Sequence, residues 1–403
     1  MNWKRLLLII LFIGVTLGIG YALFRLFFAA PQEVVPTEEQ NANGAVGGLP
    51  SANVGGVPGA PPPTGAPGLP PGVSPVANGG LTVVTPVAPV PTTGATLSAS
   101  GQLNYYNRND GKFYRLNPDG TTTSLSNKTF FNVSNAKFDP QGNKAILEYP
   151  DGSNIMFNFQ TGEQATLPAH WEGFDFNPTG TQIVAKSVGV DPDARFLVVA
   201  NPDGSGAKAV QELGENQDKV QVNWSPNNEV IATATTGRSF GVDRQEVYLI
   251  GQNGENFKSM IVEGLDFRPK WAPGGEQLMY SVAGSLSDWK PQLWIVDAQG
   301  DNIGRNRRSI AVNTWADKCT FQDKDNLYCA VPDDLPRGAG LQPDIANDTP
   351  DSIYKINLTT GLQTKIAVPE GSHTIGSVML TPDKKSLFFT DKGSGVVNKI
   401  ALP

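Results

Sequence analysis

From about residue 100 onward, apolar residues come in short runs broken by turn residues, and no run keeps helical spacing over three turns. Two elements recur. The first is an apolar strand ending in a glycine turn: Lys112–Gly120, Asn154–Gly162, Arg195–Gly204, Glu246–Gly254, Gln292–Gly300 and Ser352–Gly361, with a seventh copy at Val396–Leu402. Successive glycines lie 42, 42, 50, 46 and 61 residues apart. The second is an aromatic or apolar residue, a proline turn and a short strand. Its copies begin Phe138-Asp139-Pro140, Phe176-Asn177-Pro178, Trp224-Ser225-Pro226, Trp271-Ala272-Pro273 and Leu380-Thr381-Pro382; Phe321–Asp325 keeps the place without the proline. Proline presets φ at the first corner of a turn, and Gly, Asn or Asp tolerate the next, so each copy predicts a tight strand connection.

Each unit then holds four strands: one ahead of the proline turn, one after it, the glycine-ended strand and one behind. Four-stranded units of about 40–45 residues predict an all-β β-propeller. The count points to seven blades, with six or eight as the neighbouring numbers. A β-sandwich is the competing fold, but it would not repeat the same pair of turns seven times. The last unit ends one strand short, and the β-branched segment Leu81–Val90 stands ready to supply that strand. Closing the ring in this way removes exposed sheet edges.

Ahead of the repeats the pattern changes twice. Residues Leu6 to Phe24 are 19 positions without a charge. As a helix they span about 28 Å, close to the ~30 Å hydrocarbon core of a bilayer. Lys4 and Arg5 precede the run, and Trp3 and Tyr21 sit near its ends. The basic side stays inside, which places the rest of the chain outside the cytoplasm. A cleaved signal peptide is the competing reading; its apolar part is shorter, about 7–15 residues, and ends at a small-x-small site. Phe27-Phe28-Ala29-Ala30 is a poor match to such a site. From Pro31 to Gly80 the chain is mostly Pro, Gly, Ala, Val, Thr, Ser and Asn, with no Lys, Arg or aromatic residue. Nothing there can nucleate a core, so a disordered spacer is expected. The expected division is an anchor over 1–30, a linker over 31–80 and a propeller over 81–403, giving a single-pass membrane protein of the cell envelope.

The segments Trp224–Ala232 and Trp271–Ser281 resemble the WSPDG-plus-strand motif of TolB-type, WD-like propeller repeats. The resemblance covers about residues 100–400. It implies that Phe138, Phe176, Trp224 and Trp271 pack between blades as core. It implies little about activity, because propellers host many functions.

Composition narrows the chemistry. Two His and two Cys in 403 residues exclude a multi-ligand zinc, haem or iron–sulfur protein. A net charge of −7 argues against nucleic acid, whose binding rests on Lys and Arg neutralising phosphates. No cofactor is expected. Ca²⁺ is the one weighed, because Asp191, Asp193, Asp333, Asp334 and the acids of 344–351 offer oxygen ligands without forming a DxDxDG loop. Gly237-Arg238-Ser239-Phe240-Gly241 matches the GxSxG pattern of hydrolases, with Ser239 as nucleophile and His373 as the only downstream His. That motif needs a strand–turn–helix setting, and here it falls in a loop between strands.

Proline turns join first to second strands on one rim, so the second-to-third-strand loops emerge on the other. The longest are 188–194, 235–245, 283–291 and 332–351. Long, varied loops carry function more often than short turns do. Arg238, Phe240, Arg244, Trp289, Lys290 and Arg337 are therefore the candidate binding residues, for a protein or peptide partner. The leading expectation is a non-catalytic binding scaffold. A propeller hydrolase, or a lactonase- or glycan-acting enzyme, comes second, and a structural envelope protein third. Finally, Cys319 and Cys329 lie symmetrically about the turn at Lys324. In paired antiparallel strands they stand opposite each other, within disulfide range.

Overall fold

The computed structural model describes residues 72–403 apart from Asn256, together with Trp3, Phe12, residues 14–19 and Tyr21, which are helical. The chain divides into two compact units, Met1–Ala66 and Pro67–Pro403. Most of the expected anchor, and the spacer through residue 71, lie outside the described residues. Among the described residues no helix is long and apolar enough to cross a membrane.

The second unit is a seven-bladed β-propeller. Blade 1 is built from Thr92–Leu97, Leu103–Asn107, Lys112–Leu116 and Thr122–Ser124. Blade 2 uses Asn135–Phe138, Lys144–Glu148, Asn154–Asn158 and Gln164–Leu167, and blade 3 Trp171–Phe176, Ile183–Val188, Arg195–Ala200 and Lys208–Glu212. Blade 4 uses Val220–Val222, Val230–Ala234, Gln245–Gly251 and Met260–Val262, and blade 5 Leu265–Trp271, Gln277–Ala283, Pro291–Asp297 and Arg308–Ser309. Blade 6 uses Cys319–Phe321, Asn326–Pro332, Asp351–Asn357 and Gln363–Pro369, and blade 7 Ile375–Leu380, Ser386–Asp391 and Val397–Ala401. First strands touch at the junctions of blades 1 to 4 and of blades 6 and 7, which puts them on the inner side of the ring.

The fourth strand of blade 7 is Thr85–Ala88, paired antiparallel with Val397–Lys399. It comes from the segment expected to close the ring. Pro86 is tolerated because this is an outer strand. A second contact was not foreseen: Leu81–Thr82 pairs in parallel with Val368–Pro369, adding a fifth strand to blade 6. Packing also begins before the expected boundary at residue 81. Ala77 N donates to Ala401 O at 2.9 Å, Gly79 N donates to Ile366 O at 2.7 Å, and Ala77 is buried against blades 6 and 7. The linker expected over 31–80 therefore loses its last nine residues to the propeller, because their backbone N–H groups find partners on strand edges that would otherwise stay open.

The core sits between blades. One apolar cluster joins each successive pair: Phe113 with Phe138 and Phe157 for blades 1 and 2, Phe176 with Ile146 for 2 and 3, and Trp224 with Leu197 for 3 and 4. Phe267 and Tyr280 meet Val247 and Leu249 for 4 and 5, and Met279 and Ile295 meet Leu327 for 5 and 6. Ile353 with Phe389 and Phe388 with Tyr105 complete the circle. The second strands are buried on both faces, which is why they read as apolar runs and not as a strict alternation. Phe138, Phe176 and Trp224 are buried at these junctions; Trp271 is half-buried there, its Nε1 donating to Asn223 O of the preceding blade at 3.3 Å.

The proline turns hold their shape through the residue before the proline. Asp139 Oδ1 accepts from Asn143 N and Lys144 N, Asn177 Oδ1 from Thr181 N and Gln182 N, and Ser225 Oγ from Glu229 N and Val230 N. Gly142 in the first of these turns has φ +72° and lies against the Asn104 side chain of blade 1, where a Cβ would clash. Glycine there serves both the left-handed backbone and the close approach of two blades.

Candidate functional site

The second-to-third-strand loops lie on the face opposite the proline turns, as expected, and the blade-to-blade connectors share that face. Of eleven large apolar side chains exposed on the described propeller, seven lie there: Phe131, Val190, Phe240, Val242, Leu286, Leu341 and Ile345. Val242 is 84% and Leu286 92% exposed. Five of the seven belong to the long loops of blades 4, 5 and 6, so the apolar surface is concentrated on one sector.

Those three loops brace one another. Asp243 Oδ2 in the blade 4 loop accepts from Ser285 N at 2.7 Å and from Ser285 Oγ at 2.6 Å in the blade 5 loop. Gly338 N of the blade 6 loop donates to Asp288 O at 3.0 Å, and Gly340 N to Trp289 O at 2.8 Å. Asp288 and Trp289 both have positive φ, 53° and 59°. A tryptophan in the left-handed region is uncommon and needs surroundings that hold it there; Trp289 N donating to Gly284 O, and Trp289 O accepting from Gly340 N, do so. Together the three loops form a ledge, and Glu263 fixes its base, with one oxygen 2.7 Å from Arg244 Nε and the other 2.7 Å from Arg307 Nη2.

The blade 6 loop is also packed from below. Leu335, Ala339 and Ala346 surround Trp315 in a small core of their own. At the foot of the loop, Lys318 Nζ donates to both carboxylate oxygens of Asp351 at 2.9 Å, and Ile375 N donates to Asp351 Oδ2 at 2.7 Å. Burial pushes the Lys318 amine down and the Asp351 carboxyl up, each opposed by the charge of its partner. Beside the pair, where blades 5, 6 and 7 meet, is a cavity of about 190 Å³ that Pro343 and Ala346 of the same loop help to line.

The candidate residues divide accordingly. Arg238, Phe240, Trp289, Lys290 and Arg337 fall on the braced loops of blades 4 to 6, with Arg238, Phe240 and Arg337 exposed and Trp289 and Lys290 half-buried. Arg244 joins them, but its guanidinium is tied to Glu263 and serves the loop's own structure. Sequence reasoning passed over Val242, Leu286, Leu341 and Ile345. Their signal was present: each is an isolated apolar residue with polar or small neighbours in a long loop. The cavity residues Arg268, Trp315 and Lys392 gave no such sign, because they come from three different blades.

The hydrolase constellation is not assembled. Ser239 Oγ donates to Gly241 O at 2.8 Å, within its own turn. His373 Nδ1 lies 3.0 Å from Asp391 Oδ2 and its Nε2 lies 3.1 Å from Glu370 O, so both ring nitrogens are engaged in blade 7. Four of the acids weighed for Ca²⁺ have partners within the protein. Asp191 accepts from Asp193 N, Asp333 from the Ser352 hydroxyl and Asp344 from Asn347, while Asp351 pairs with Lys318. Among the described residues no three His, Cys, Asp or Glu side chains group to hold a metal ion. Cys319 and Cys329 are direct cross-strand partners in blade 6, and the structure joins them by a disulfide.

No family model and no curated protein matches the chain. Among solved structures it is similar to an oligogalacturonate lyase in complex with manganese, at 16% identity and TM-score 0.53, over 79% of this chain and 93% of that one. It is likewise similar to the β-propeller domain of Cps50 (Swd1) from Myceliophteria thermophila, at 12% identity and TM-score 0.54, over 78% and 97% of the two chains. A chain of the mitotic checkpoint complex matches at 11% identity and TM-score 0.53, over 84% and 97%. At such identities the likeness carries the fold alone: this is a seven-bladed propeller with WD-like repeats. An enzyme and a WD-type propeller domain stand among its neighbours, so fold does not choose between catalysis and binding.

Proposed function

We propose that the chain is a non-catalytic binding propeller that presents the braced loops of blades 4, 5 and 6 to a protein or peptide partner. One observation carries the reading: Phe240, Val242, Leu286, Leu341 and Ile345 are held out into solvent on loops that hydrogen-bond to one another. Exposed apolar surface rimmed by polar and charged groups marks an interaction site, and Arg238, Trp289 and Arg337 on the same loops are of the residue types that anchor interfaces. Loops already braced lose little further freedom on binding. Ser239 is hydrogen-bonded within its own turn and both ring nitrogens of His373 are engaged elsewhere, which leaves the hydrolase alternative without a nucleophile–base pair. We further propose that the repeats are TolB-type, on the strength of the Trp224 and Trp271 motifs.

We also propose that the uncharged run Leu6–Phe24 anchors the propeller outside the cytoplasm. Support comes from the Lys4/Arg5 asymmetry and from the Cys319–Cys329 disulfide, a bond that oxidising compartments keep. Protease added to intact cells with a permeabilised outer layer should then remove the propeller; full protection would reject this topology.

The binding reading is tested by co-purification of the detergent-solubilised full chain from its own membranes. A partner retained by the wild type and by Leu362→Ala, on the opposite face, should be lost from the Phe240→Ala/Leu286→Ala double variant. Retention by all three, or by none, would contradict the reading.

A further inference from the structure

The cavity of about 190 Å³ joins Pro343 and Ala346 of the blade 6 loop to residues of blades 5 and 7. It is smaller than the ~300–1,000 Å³ of sites that enclose drug-sized ligands. Its size suits one residue of a longer partner lying along the ledge. Arg268 comes from the first strand of blade 5, Trp315, Asp317 and Lys318 from the turn that leads into blade 6, and Gly376 and Lys392 from blade 7.

The wall charges are not equivalent. Lys318 is consumed by Asp351, which takes two of its N–H donors. Asp317 is held by Arg268, Oδ2 to Nη1 at 3.5 Å, and Arg268 Nε is held by Asp266 at 2.8 Å. That geometry leaves Arg268 Nη2 without a hydrogen-bond partner among the described residues. Lys392 Nζ donates to the neutral amide oxygen of Asn347, and among the described residues it forms no ion pair. Its charge is felt nearby, for it adds to the lowering of the Lys318 amine after burial has done most of it. Lys392 is exposed, so it can turn toward an arriving group.

A second observation points to the same place. The first strands of blades 1, 3, 5 and 7 all carry register shifts, and those of blades 5 and 7, between Leu265 and Arg268 and between Ile375 and Ser377, fall at the cavity. Gly376 is the residue left without a strand partner, and it lines the cavity. Bulges re-aim side chains beside functional sites, and a glycine there lets another backbone come close.

From these features we infer that the cavity takes a carboxylate of the partner, with Lys392 and Arg268 as its charge partners and Trp315 as the wall for the attached carbons. Charge-assisted hydrogen bonds to such groups are short and strong, and guanidinium suits carboxylate geometry. The inference rests on the binding reading above and states what the partner must carry. The carboxylate comes from an acidic side chain or from a chain terminus, and the test separates the two.

The full chain, immobilised in detergent, is offered three pools of otherwise randomised peptides. One has a fixed central glutamate and an amidated terminus, one a glutamine in its place, and one the glutamine with a free terminal carboxylate. One carboxylate pool should be retained at least tenfold over the glutamine amide pool, and which one identifies the source. That preference should fall close to one in Lys392→Gln and in Arg268→Gln, with melting temperature checked for each. Equal retention of the three pools, or a preference unchanged in both variants, overturns the inference. If the glutamine amide pool is held by the wild type and lost in Phe240→Ala/Leu286→Ala, the binding reading survives that failure. If no pool is held above bare matrix, both fall.

Discussion

Lys318 and Asp351 form a buried ion pair in blade 6, Nζ 2.9 Å from each carboxylate oxygen, with side-chain exposures of 8% and 0%. Asp351 follows directly on the eighteen-residue loop 333–350 and also accepts from Ile375 N of blade 7. The pair therefore ties the largest loop of the ledge to the ring. Asp351→Ala would leave a buried ammonium without its counter-charge, a change that costs about 3–5 kcal/mol in such settings. Denaturant unfolding should show that loss, and amide exchange should quicken first in 333–350. A variant with wild-type stability would show that the pair is ornamental.

Asp391 and Asp243 predict the acid limb of stability. Burial pushes the Asp391 carboxyl up, but the Ser394 hydroxyl, Ser394 N and His373 together outweigh it and hold it below its ordinary value. Asp243 is lowered first by the Ser285 hydroxyl and then by Ser285 N. A carboxyl depressed in the folded state contributes stability above its unfolded value of about 4, and that stability is lost as pH falls through the folded value. Stability should therefore drop below about pH 4, and Asp391→Asn should flatten the drop while lowering stability at neutral pH. An unchanged acid slope in that variant would refute the assignment.

Ring closure rests on Thr85–Ala88, with Leu81–Thr82 and 72–80 as reinforcement. Deleting 81–90 removes the outer strand of blade 7 and exposes the edge of Val397–Ala401. The melting temperature should fall well beyond that of a chain lacking 41–50. Equal melting temperatures would mean that the outer strand adds nothing to the ring.

The disulfide closes a short loop, with a sequence separation of 10. The chain-entropy term for so small a loop is about 2–3 kcal/mol. Cys319→Ser/Cys329→Ser should lose stability of that order. Denatured, unreduced protein from the native host should carry no free thiol; two per chain would reject the bond in the cell.

Most of the ring was legible because blades 2 to 5 and 7 repeat two local devices. The residue before the proline, as in Asp139 or Asn177, satisfies the turn's own N–H groups, and Phe138 or Trp224 beside it fills the next junction. Both are readable within five residues of sequence. The ledge was legible only in part. Loop length located Phe240 and Trp289, but the Asp243–Ser285 and Gly340–Trp289 bonds that unite the loops join positions about 40 to 50 residues apart. The cavity was not legible, since Arg268, Trp315 and Lys392 meet only when three blades close around the axis. The docking of Ala77 and Gly79 was hidden for another reason: small residues in a Pro/Gly-rich stretch give no apolar signal, and backbone hydrogen bonds hold them.

The central claim is that the ledge of blades 4 to 6 meets a protein partner, and photo-crosslinking in native cells tests it most directly. Leu286, 92% exposed on the ledge, and Leu362, 64% exposed on the opposite face, offer a matched pair of sites. A benzophenone side chain placed at Leu286 should give a discrete higher-mass adduct on irradiation, and at Leu362 none. Adducts of equal yield from both positions, or from neither, would contradict the account.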